Sequence, residues 1–75
     1  MIKACKTKHF KEYLTIAGYE KSSGQPSAEK WINKAGKFVI FNTIDDEIPP
    51  YNIEKMIAHI GDTPEKFNKI IAVII

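Results

Sequence analysis

Glu29-Lys30-Trp31-Ile32-Asn33-Lys34-Ala35-Gly36-Lys37-Phe38-Val39-Ile40-Phe41-Asn42-Thr43 is the stretch on which the fold turns. Two β-prone runs, 29–33 and 37–43, flank the three-residue loop Lys34-Ala35-Gly36, whose glycine suits the left-handed position of a hairpin. In the second run Phe38, Ile40 and Asn42 share one face, while Lys37, Val39 and Phe41 share the other. Apolar residues on both faces predict a central strand covered on part of each side.

Towards the N-terminus, Ser22-Ser23-Gly24-Gln25-Pro26 has loop chemistry, and 19–22 reads as a short edge strand leading into it. Thr7 is placed to cap a helix in which Phe10, Tyr13, Leu14 and Ala17 follow at helical spacing. Gly18 stands where a glycine ends such a helix, so the pattern predicts a helix over 8–17. Its outer face, Lys8, His9, Lys11, Glu12 and Thr15, is polar and mostly basic.

Towards the C-terminus, Asp45-Asp46-Glu47 forms an acidic loop before Ile48-Pro49-Pro50. Those prolines forbid a continued strand and preset the first turn of a helix. Ile53, Met56, Ile57 and Ile60 make its apolar stripe, and Gly61 closes it. Asp62-Thr63-Pro64-Glu65 then reads as a second start, with a cap, a proline and an acid at the positive end of the dipole. Phe67, Ile70, Ile71 and Ile74 fall on one face of this third helix, although the β-branched run 70–75 leaves its end open to a strand.

The order predicts an α+β domain, α-β-β-β-α, with a three-stranded antiparallel sheet covered by helices on one face. The other face stays open, and an added C-terminal helix follows. At 75 residues the chain has room for one domain, 1–75, with a core over 7–61 and a helical extension over 62–75. A single cysteine, Cys5, cannot form an internal disulfide or a paired-cysteine zinc site, and without a histidine motif beside it the thiol is expected to be inert. The longest apolar run has six residues against the about 20 of a bilayer span, and 1–11 has no apolar signal region. A cytoplasmic protein without a membrane segment is expected.

Charge divides the chain. Residues 1–37 hold eight lysines against Glu12, Glu20 and Glu29, a net +5; residues 38–75 hold three lysines against six acids, a net −3. A basic half joined to an acidic half suits a polyanion-facing surface and a second surface of opposite sign. All 11 basic residues are lysines, so bidentate readout by arginine is absent and any nucleic-acid contact uses point charges.

The α-β-β-β-α order resembles small double-stranded-RNA-binding-like domains, and the linear pattern resembles the HicA toxins of bacterial HicA–HicB toxin–antitoxin systems. Gly18-Tyr19 matches the glycine-aromatic that ends the family's first helix. Ser27 falls nine residues after that glycine, Trp31 takes the strand aromatic, and Gly36 the hairpin glycine. Phe38-Val39-Ile40-Phe41 is the apolar strand, Glu47-Ile48 and Ile53 follow, and Gly61 closes the helix. The match runs from Thr7 to Gly61, about three-quarters of the chain. It departs at two positions: Pro26 replaces the family's glycine before the serine, and Ala28 replaces its histidine.

What the resemblance implies is a metal-independent mRNA endoribonuclease that needs no cofactor and is covered by a HicB-like antitoxin. Cleavage by attack of a 2′-hydroxyl needs a proton acceptor tuned near neutral pH, which imidazole supplies and a methyl group does not. Position 28 is therefore the expected catalytic position, inactive as Ala28. A His→Ala substitution in an active sequence and a native alanine both account for it. Under the second reading the chain is a non-catalytic RNA-binding or protein-interaction module.

Around Ala28, the candidate RNA contacts are Ser27, Lys30, Trp31, Lys34, Lys37 and Lys8, because phosphates need cations and unstacked bases need a ring. Trp31 has an alternative place in the core. His9 and His59 lie off the apolar stripes and read as surface residues. Asp45-Asp46-Glu47 has no glycine-spaced calcium pattern, so no metal is expected there. The stripe of the third helix either completes the core or joins a second subunit.

Overall fold

The hairpin is stitched by its own asparagine. In the computed structural model, which describes residues 2–75, Asn33 N–H donates to the Lys37 carbonyl at 2.9 Å. The Asn33 side-chain oxygen accepts from the N–H groups of Ala35 and Lys37 at 3.0 and 2.9 Å. Gly36 sits at φ +86°, a conformation a β-carbon would strain.

Among the described residues the order is β1 (Cys5–Lys6), α1 (Thr7–Ile16), β2 (Tyr19–Gln25), β3 (Ala28–Asn33), β4 (Phe38–Asn42), β5 (Glu47–Ile48), α2 (Pro50–His59) and α3 (Pro64–Ile74). Strands β2-β3-β4 form an antiparallel sheet in that order, and β1 pairs with β5 in a separate short ladder. The fold is α+β, a three-stranded antiparallel sheet with three helices, as the α-β-β-β-α pattern predicts. Among the described residues no helix is long and apolar enough to cross a membrane.

Alternation places the core. Trp31 pairs with Val39 and Glu29 with Phe41, so these residues share one face of the sheet. Trp31, Val39 and Phe41 are buried on it. Phe10 of α1 meets Phe41 edge-on at 5.2 Å between ring centres, and Ile53 and Ile57 of α2 join the same cluster. The third helix completes it: Phe67 lies 4.8 Å from the Tyr13 ring and is 1% exposed. Ile70, Ile71 and Ile74 are partly buried against that core.

Several expectations are corrected. Thr7 is the first residue of α1 rather than its cap; Lys6 holds the cap position. The Thr7 hydroxyl donates to the Asp45 carbonyl and its N–H to the Asp46 carbonyl, both at 2.7 Å, so the acidic loop satisfies this helix start. The strand expected at 19–22 continues to Gln25, because the β3 ladder supplies partners and a bulge between Lys21 and Ser23 absorbs the irregular sequence. Strand β4 is an edge, not the centre, and only Val39 and Phe41 are covered. Phe38 and Ile40 remain exposed, so apolar residues on both faces did not mean two covered faces. Helix α3 stays helical through Ile74.

Candidate nucleic-acid interface

The open face follows from the same register. Ala28 pairs with Gln25 on one side and Asn42 on the other; Lys30 pairs with Ser23 and Ile40; Ile32 pairs with Glu20 and Phe38. Partners directly across antiparallel strands share a face, and this set alternates with the buried one. Ala28 is half-buried on the open face and lines a shallow depression of about 360 Å³ with Ser23, Gln25, Lys30 and Ile40. Ser27 is exposed in the turn just before it, and its carbonyl accepts from Thr43 N–H at 3.1 Å.

Lys30 is the candidate lysine beside Ala28. Its ammonium lies 4.5 Å from the centre of the Phe38 ring, which is 43% exposed. Lys34 and Lys37 stand at the hairpin end of the sheet. At about 3.3 Å per residue, Lys34 lies about 20 Å along the strand direction from Ala28. The hairpin is lysine-fringed, but the fringe and position 28 occupy opposite ends. Lys8 is apart again, in a separate depression lined by Lys11, Thr43, Asp45, Asp46 and Glu47.

Trp31 does not present a stacking surface. It is 8% exposed and packs with the core, and its indole N–H donates to Glu29 at 3.1 Å. Glu29 also meets Lys11 at 3.2 Å and Lys21 at 3.6 Å. Burial pushes its carboxyl up, but the hydrogen bonds from Trp31 and Lys11 and the charges of Lys11 and Lys21 outweigh that and hold it below the ordinary range. Two lysines of the basic half are thereby paired with Glu29.

Phe38, not Trp31, is the exposed ring of this face, and Gln25 and Asn42 flank position 28, the Asn42 side-chain oxygen accepting from Ile44 N–H at 2.7 Å. The signal was available in the hairpin. A loop of Lys34-Ala35-Gly36 pairs Asn33 with Lys37, which puts Trp31 on the face of Val39 and Lys30 on the face of Ile40. Carrying that parity across the turn separates the buried ring from the exposed one.

The histidines are elsewhere. His9 is half-buried in a groove with Cys5, Glu47 and Phe67, and His59 is exposed beside Lys55 and Met56. Cys5 is buried, and burial pushes its thiol up to about 11, which suits an unreactive side chain. Among the described residues no group of three His, Cys, Asp or Glu side chains gathers as a metal site would require. The open face thus offers one cation resting on an exposed ring, two amides with a methyl group between them, and the Glu20 carboxylate opposite Ile32. No protein-family model matches the chain, and no curated protein matches it.

Proposed function

We propose that the chain is a HicA-like mRNA endoribonuclease scaffold whose catalytic position is occupied by Ala28. Single-stranded RNA lies across the open face: the Phe38 ring takes an unstacked base, Lys30 faces a phosphate, and Gln25 and Asn42 hydrogen-bond the strand beside position 28. The observation that carries this reading is the setting of Ala28. Its side chain lies on the uncovered face, next to Lys30 and between two amides.

With an imidazole at 28, the ring accepts the proton of a 2′-hydroxyl as its oxygen attacks the adjacent phosphorus. The 5′-oxygen departs with a proton from solvent, leaving a cyclic phosphate. Lys30 stabilises the charge that builds on the phosphate oxygens. No metal or cofactor enters these steps. A HicB-like antitoxin is the partner this reading implies, covering the open face. The non-catalytic RNA-binding or interaction module is the second reading, favoured by Ala28 itself, which offers no titrating group.

Expression of the Ala28→His variant separates them. Growth arrest with fragmented mRNA, relieved by Lys30→Ala in the same chain, supports the ribonuclease. Unchanged growth with intact mRNA, at matched soluble protein levels, supports the module.

A further inference from the structure

The two edges of the sheet are built differently. Strand β2 carries Glu20 and Lys21, a bulge and Gly24, the features that discourage another strand from pairing. Strand β4 reads Phe38-Val39-Ile40-Phe41-Asn42, with no proline, no charge and no register shift against β3.

Its outward hydrogen-bonding groups can be assigned. Asn33 N–H bonds the Lys37 carbonyl and Thr43 N–H bonds the Ser27 carbonyl. Alternation then turns the backbone groups of Val39 and Phe41 towards β3, and those of Phe38, Ile40 and Asn42 to the free edge. Among the described residues no backbone hydrogen bond outside the ladders reaches those three. Three exposed large apolar residues lie on this strand or just past it: Phe38, Ile40 at 59% and Ile44 at 65%.

From this edge we infer that β4 pairs antiparallel with β4 of a second copy of the chain, about a two-fold axis at Ile40. Charge selects this occupant. The Phe38 end of the edge is flanked by Lys37, and the Asn42 end leads into Asp45, Asp46 and Glu47. Antiparallel self-pairing sets Phe38 opposite Asn42 of the second copy and Ile40 opposite Ile40. It brings the lysine end of each chain to the acidic end of the other, whereas parallel pairing would juxtapose like charges. All three outward residues then find partners at once, and the two open faces join in one six-stranded sheet. This inference does not depend on the ribonuclease reading, since it uses the edge and not position 28.

The test is the mass of the full chain in solution, by sedimentation over a dilution series, for the parent and two variants. Ile40→Lys and Ile40→Glu change an exposed side chain, so the far-ultraviolet spectrum should hold, while the thermal midpoint of the parent alone should rise with concentration. The parent is expected at twice its 8.5 kDa chain mass at high concentration. Each variant alone should run at single-chain mass, and an equimolar mixture of the two should return to double. A parent that stays at single-chain mass throughout, a dimer that Ile40→Lys leaves intact, or a mixture that fails to associate overturns the proposal.

Discussion

The Lys30 ammonium lies 4.5 Å from the centre of the Phe38 ring, so the open face presents a cation and an exposed aromatic as one unit. Lys30 and Phe38 belong to adjacent strands and are brought together by hairpin register, not by sequence proximity. Substitution of either should therefore weaken RNA binding while leaving the fold intact. Phe38→Ala is expected to cost about 1–3 kcal/mol in binding a single-stranded oligonucleotide. Trp31→Phe should change binding little and stability more, because the indole is buried and bonded to Glu29. Fluorescence anisotropy alongside thermal melts separates the two effects.

Salt dependence follows from the lysines that remain available. Lys11 and Lys21 are engaged with Glu29, which leaves Lys30, Lys34 and Lys37 on the sheet and its hairpin. Three phosphate contacts on a single strand give a slope of log affinity against log salt of about −2, and Lys30→Ala should reduce its magnitude by about 0.7. A titration series between low and physiological salt measures both.

The hairpin, the helical stripes and the α+β order were legible because each depends on local periodicity or on one glycine, as at Gly36. The site was legible only in part. The family resemblance singles out Ala28, and Lys30 stands out as a lysine beside the hairpin, but the residues alone leave Trp31 between a ligand and the core and give no reason to choose Phe38 as the exposed ring. Which face of a strand is covered depends on where helices land, and Phe38-Val39-Ile40-Phe41 is apolar on both. The role of Thr7 was hidden for a similar reason. Its partners are carbonyls of Asp45 and Asp46, nearly forty positions away, which no local pattern reveals.

Helix α3 is integral to stability through one side chain. A chain of this size has about 4–11 kcal/mol of stability, and Phe67→Ala is expected to remove about 3–5 of it by opening a cavity beside Tyr13 and Phe10. Denaturant titration should show a lower midpoint with an unchanged slope. Equal stability of the variant would place α3 outside the core.

Tyr13 donates its hydroxyl to Asp62 at 2.5 Å, tying α1 to the turn between α2 and α3. Burial, then the hydrogen bond and charge of Asp62, push the phenol well above its ordinary value. A raised phenol contributes stability that is complete below the unfolded value of about 10 and is lost as pH rises beyond it. Tyr13→Phe should lower stability at neutral pH by about 1.5 kcal/mol and blunt the alkaline loss. Glu29 has the opposite sign: its lowered carboxyl stabilises above the unfolded value of about 4.3, and that contribution fades as pH falls. Glu29→Gln should flatten the acid limb of the stability curve while leaving the alkaline limb in place.

In the proposed function, a methyl group at position 28 stands where an imidazole would cut RNA. The most direct measurement is cleavage of an end-labelled single-stranded RNA by purified Ala28→His protein, with a chelator present. The expected result is fragments ending in a cyclic phosphate, with a rate that rises with pH through the imidazole range and falls sharply on adding Lys30→Ala. Intact RNA after prolonged incubation with a folded, RNA-binding Ala28→His protein would contradict it.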